Sequence, residues 1–227
     1  MEPTMYNMLM RLPLFQGMSQ AHLFEIIEQT IFHFRKVGHQ RTAFIQGDWC
    51  NQFTFLMAGE LTATTQAPYA EFSFEEVVSP YAVIEPQSLF GKRPVYKATY
   101  TARGEASLLS IDKQHIYTLL HSYEIFRINF INLLGSKVED LHAQQWNISP
   151  QALEGRLICF IRGLCTTPQG PKTLHIKMEE LARLLDCTRL SVSHILNKWK
   201  EDGLITMRRK EFVVHDMAKL LEKALHE

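Results

Sequence analysis

Between Ile176 and Lys200 the chain reads as two helices joined by a single sharp turn, and this segment restricts the fold more than any other. In the first helix, Leu181, Leu184 and Leu185 recur at helical spacing and predict an inner face. Asp186 falls in the turn, where a left-handed backbone favours Gly but tolerates Asp. Thr188 is placed to cap the second helix by accepting from its free N–H groups. Val192, Ile195, Leu196 and Trp199 stand at i, i+3, i+4 and i+7, so one face of that helix is core. Geometry then assigns Arg189, Leu190, Ser193, His194 and Asn197 to the opposite face. Most of these can donate hydrogen bonds, as reading base edges in a major groove requires. With Thr188, Ser191 and Lys198 they form the candidate DNA-binding set on this helix.

After Gly203, Leu204–Met207 and Glu211–Val214 predict paired strands around Arg208-Arg209-Lys210. A basic hairpin beside a reading helix brings cations to phosphates, with Arg208 and Arg209 as candidate contacts. Formal net charge is zero, with 24 Lys and Arg against 24 Asp and Glu, so indiscriminate coating of nucleic acid is not expected. Placement matters more than the sum. Between Thr188 and Lys210 six Lys and Arg face only Glu201 and Asp202. The alternative reading is a solvated basic turn on a helical interaction domain.

The preceding sequence divides in three. Ser19 predicts the cap of a helix to about Glu28, with Leu23, Ile26 and Ile27 on its apolar stripe. From Ile31 to Asp112, short β-like runs (Phe53–Met57, Glu60–Thr65, Phe72–Val78, Ser107–Asp112) alternate with Gly and Pro turns, which predicts a barrel, roll or sandwich. From Tyr123 to Asn147 there is no Pro, enough for about 37 Å of helix. Ile131, Leu134, Val138 and Leu141 recur along it as a coiled-coil seam and are the candidate dimer interface. An ordinary core helix is the alternative there. The apolar Ile125, Phe126, Ile128 and Phe130 predict burial on two sides. Ser149-Pro150 reads as the start of a further helix running to about Cys165. The expected domains are 1–122, 123–147 and 148–227, an α+β chain.

Cys50, Cys159, Cys165 and Cys187 form no CxxC pair, so neither a metal site nor a disulfide framework is expected. No nucleophile–base motif or Gly-rich phosphate loop points to an enzyme. No run of about 18 apolar residues and no signal pattern stands out, so a soluble cytoplasmic protein without membrane contact is expected.

The C-terminal segment resembles the DNA-binding domain of the cAMP receptor protein and fumarate–nitrate regulator (Crp/Fnr) family. Phe44-Ile45-Gln46-Gly47-Asp48 and Met57-Ala58-Gly59-Glu60-Leu61 are similar to the glycine turns of that family's β-roll, a jelly roll that binds cyclic nucleotides. The resemblance spans nearly the whole chain. It implies an N-terminal β-roll, a long dimerisation helix and a C-terminal winged helix-turn-helix. It further implies a homodimeric transcription regulator on a pseudo-palindromic operator, with double-stranded DNA and RNA polymerase as partners. Arg189 matches a DNA-contacting position, whereas Leu190 and His194 stand where many members have Glu and Arg.

The family's nucleotide cassette uses a Gly-Glu pair for the ribose and an Arg-Ser pair for the phosphate. Here Pro86 stands at the Glu position, Glu85 is one residue off register, and Tyr96-Lys97 replace Arg-Ser; Ser88 lies between them. Lys offers a point charge where a bidentate clamp is needed. The cassette is therefore expected to be degenerate, with DNA binding independent of cyclic AMP. An iron–sulfur cluster lacks its cysteines. His33, His39 and His115 are haem ligands by residue type alone, so no cofactor is expected. A β-roll adaptor that uses its C-terminal helices for protein contacts is the competing function.

Overall fold

The computed structural model describes residues 5–146, 152–167 and 169–225. Its contacts divide the chain into two units, Met1–Thr62 with Val78–Asp140, and Ala63–Val77 with Leu141–Glu227.

The first unit opens with α1 (Met5–Leu9), a 3-10 turn (Pro13–Phe15) and α2 (Gln20–Gln29). As expected, the Ser19 side chain caps α2 by accepting from the His22 N–H. There follow β1 (Phe32–Val37), β2 (Thr42–Phe44), β3 (Gln52–Ala58), and β4 (Leu61–Gln66) and β5 (Ser73–Val78), both largely in the second unit. The first unit continues with β6 (Val83–Ile84), α3 (Pro86–Leu89), β7 (Thr99–Ala102) and β8 (Ala106–Asp112). One sheet runs β1-β8-β3-β6, and β2 pairs antiparallel with β7. Phe53, Phe55, Leu109 and Ile111 are buried on the β3–β8 ladder. Opposite them in sequence parity, buried Thr54 and Ser110 satisfy each other across the same ladder at 2.8 Å. Gly59 turns β3 into β4 at φ +77°, and a Cβ there would fall 2.2 Å from the Glu105 carbonyl oxygen. Only glycine fits this approach.

A helix the sequence reading omits, α4 (Lys113–Ser122), follows β8 and buries Ile116 and Leu119. Its ten residues offer just two core positions, too few for a clear period. α5 (Glu124–Trp146) is the long helix. Phe126 and Phe130, one turn apart, are buried against Phe15 and Phe53, with ring centroids 5.2 and 6.0 Å away. Ile125 and Ile128, expected on a second buried side, are exposed in the single chain.

In the second unit α6 (Leu153–Leu164) leads to β9 (Lys172–His175), α7 (Met178–Leu184), α8 (Arg189–Glu201), the hairpin β10 (Ile205–Arg208) and β11 (Glu211–Val214), and α9 (Met217–Leu225). The expected start at Ser149-Pro150 lies outside the described residues; the helix that is described begins at Leu153, with uncapped Ala152 before it. Leu157, Ile161, Leu181, Leu196, Trp199 and Phe212 fill a core shared by α6, α7, α8 and the hairpin. The inner face of α7 needs one correction. Leu184 is exposed and Ala182 is buried. At 100° per residue, Leu181, Leu185 and Ala182 span one continuous arc and Leu184 falls beyond its edge.

The hairpin sheet also extends through residues from early in the chain. Neighbouring strands run β10-β11-β9-β5-β4, with Phe74 opposite Leu174 and sharing the core. Beside it Glu76 and Lys172, 8% and 1% exposed at their side chains, pair at 3.2 Å. Glu76 also accepts from the Thr166 N–H and hydroxyl, and Lys172 donates to the Gln169 carbonyl. Every charge taken from water here is thus hydrogen-bonded.

Candidate nucleic-acid interface and effector cassette

The reading helix is fixed at both ends by local chemistry. Asp186 adopts φ +48°, which lets the chain reverse after α7. Thr188 then accepts from the Ser191 N–H at 3.1 Å, and its hydroxyl meets that of Ser191 at 2.8 Å. At the other end the Trp199 indole donates to Glu154 of α6 at 2.5 Å. Val192, Ile195, Leu196 and Trp199 are all buried. The face left outside carries Arg189, Leu190, His194 and Asn197, all exposed, with Ser193 partly so. Leu190 is 82% exposed, which a lone leucine gains nothing from in water.

Lys198 departs from this set, being half-buried and paired with Glu154 at 3.5 Å. Arg208 and Arg209 lie where β10 turns into β11, and Lys210 closes that turn at φ +60°. A cleft of about 410 Å3 between the start of α8 and this wing is lined by Lys177, Arg189, Arg208, Arg209 and Lys210 together with Glu179 and Glu211. Three of its cations already have partners, Arg208 pairing with Glu211 at 3.8 Å. Arg189 pairs with Glu179 at 3.3 Å, and Lys177 with Glu71 at 2.6 Å, which holds the Glu71 carboxyl below its ordinary range. The sequence reading missed Glu179 and Lys177; their position at the start of α7, the helix before the reading helix, was the available signal.

The cassette is rearranged rather than merely degraded. Glu85 is 8% exposed and sits before α3 at φ +41°, a left-handed conformation costing a side-chain-bearing residue roughly 1–2 kcal/mol. Its carboxylate accepts from the N–H of Lys97 at 2.8 Å and of Ala98 at 3.0 Å, the Ser88 hydroxyl at 2.8 Å and the Tyr100 hydroxyl at 3.1 Å. Pro86 and Ser88 are buried beside it, and the Lys97 side chain is exposed. Lys97 thus presents its backbone N–H to the slot and leaves its charge in solvent. Tyr96 is buried and stacked on Phe44 at 4.5 Å, and burial pushes its phenol up. Nothing in the sequence signalled the inward turn of Glu85, because one residue out of register reads as loss.

Two of the three candidate histidines are engaged structurally, whereas the Nδ1 of His115 is buried without a hydrogen-bond partner among the described residues. His33 bonds Asp112 at 3.0 Å and His39 donates to the Arg103 carbonyl at 2.6 Å. The four cysteines are free, and burial pushes Cys165 up to about 11. Among the described residues no helix is long and apolar enough to cross a membrane.

Comparison with known families decides what this pairing of a β-roll and a winged reading helix is. Residues 34–123 match the cyclic nucleotide-binding domain model, and residues 155–223 match the Crp-like helix-turn-helix domain model. The chain is a Crp/Fnr-family regulator. Solved structures share its fold at low identity. The catabolite activator protein of Thermus thermophilus is 19% identical, with a TM-score of 0.51 over 94% of this chain and 99% of that one. The c-di-GMP-responsive regulator CLP of Xanthomonas campestris is 18% identical, with a TM-score of 0.52 over 86% and 99%. No curated protein matches the regulator.

Proposed function

We propose that this regulator binds DNA sequence-specifically as a homodimer in the cytoplasm, with RNA polymerase as its partner at promoters. The observation that carries the reading is the exposed Arg189, Leu190, Ser193, His194 and Asn197 face of α8 beside the Arg208–Lys210 wing. α8 spans about 20 Å, a length suited to a major groove. Leu190 supplies an apolar surface of the kind that meets a thymine methyl. Along α5, Ile131, Val138 and Leu141 are 58%, 64% and 59% exposed in the single chain, and Leu134 is partly buried. A second copy would cover them and place two reading helices on a pseudo-palindrome. DNA binding proceeds without cyclic AMP, since Glu85 takes the donors that a nucleotide phosphate would need.

Genome-wide mapping of bound sites, followed by footprinting of the recovered operator, tests this reading. Specific binding that weakens steeply with salt is expected. Leu134→Glu sets a charge beside its own symmetry mate and should yield monomers in sedimentation that no longer protect the operator. Retained salt-insensitive protein contacts with no recovered operator would instead establish an adaptor.

A further inference from the structure

Glu85 is held unlike a surface glutamate that has folded inward. Its partners are two successive backbone N–H groups and two hydroxyls, all converging on one carboxylate. Successive N–H groups of this kind form an anion-binding concavity whatever side chains they carry. All of its hydrogen-bond partners among the described residues are neutral, so the site is built for an anion and not as half of an ion pair. The backbone at Glu85 is strained to bring it there, and strain persists where the surroundings over-determine it. Pro86 follows at once and offers no N–H to a competitor.

We propose that Glu85 is a built-in ligand: its carboxylate permanently fills an anion slot formed by the Lys97 and Ala98 N–H groups and the Ser88 and Tyr100 hydroxyls. The β-roll is thereby closed to external phosphate esters. Opened by removal of that side chain, the slot takes a small carboxylate. This deepens the nucleotide-independent reading above and rests on it only for its regulatory consequence, since the tests below involve no DNA.

Glu85→Ala removes a fragment equivalent to acetate, which makes acetate the probe. Thermal midpoints of the full chain are compared in acetate and in chloride at equal ionic strength. The variant should melt lower in chloride and recover in acetate, while the wild type responds to neither. Equal responses of the two proteins to acetate, or no recovery of a folded variant, would overturn the assignment. Amide exchange in the wild type covers the case in which the variant does not fold. The Lys97 and Ala98 amides should be protected as hydrogen-bonded donors, and exchange at the rate of open loop amides would refute the slot.

Discussion

Two buried glutamates, one in each unit, are stabilised in opposite ways. Glu76 faces the Lys172 ammonium and both donors of Thr166, a charge pair sealed between β5 and β9. Glu85 faces backbone N–H groups and hydroxyls. The first depends on a side chain that a mutation can delete, leaving its partner buried and uncompensated. The second draws half of its donors from the backbone, which point mutation does not remove. One is a clamp across a sheet; the other has the geometry of a bound ligand.

The sharpest way to break the contrast is Lys172→Met, which strands Glu76 in a dry site. A loss of about 3–5 kcal/mol is expected, read as the urea midpoint. Adding Glu76→Gln should restore much of it, because two neutral groups no longer need each other. If the single substitution costs no more than an exposed pair would, the two charges are hydrated in solution and the contrast fails.

Glu85→Gln is the milder counterpart. The amide keeps the shape but turns an NH2 toward a donor, so one N–H loses its acceptor at a cost of about 1–3 kcal/mol. Ser88→Ala removes one donor and should cost less. A Glu85→Gln loss as large as that of Lys172→Met would mean that Glu85 also answers an unseen cation.

The same contrast explains what the sequence disclosed. The α8 face, the Thr188 cap and the Arg208–Lys210 turn were readable because each rests on spacing within a few residues. Glu76 and Lys172 lie 96 residues apart and meet only through strand pairing, which one sequence does not display. β9, four residues with two buried, lacks a period long enough to distinguish it from a loop. Glu85 was visible, yet its role depends on a left-handed φ that residue type argues against. Lys198 sits on the reading helix but turns to Glu154, a partner from another helix.

On the exposed side, Arg189→Ala should weaken operator binding by about 1–3 kcal/mol and relax one position per half-site, measured by titrating operator variants. Arg208→Ala should instead weaken all sequences alike and lower the salt slope by about one. Equal loss on every operator variant for Arg189→Ala would make it a phosphate contact and shift base readout to His194 and Asn197.

The smallest expected effect belongs to the exposed pair that Arg189 makes before DNA arrives. Its partner Glu179 is on α7, and both side chains are about two-thirds exposed, at 68% and 67%. Water screens such a pair, so Glu179→Gln should leave the urea midpoint unchanged, in contrast to Lys172→Met. Operator binding is another matter, because the carboxylate both holds the arginine and repels the incoming phosphates. Its neutralisation should tighten binding by roughly two- to fivefold at low salt and by less as the Debye length shrinks. A gain that persists at high salt would show that Glu179 opposes DNA by its shape and contacts rather than by its charge. A loss would place Glu179 among the groups that position Arg189 for the base it reads.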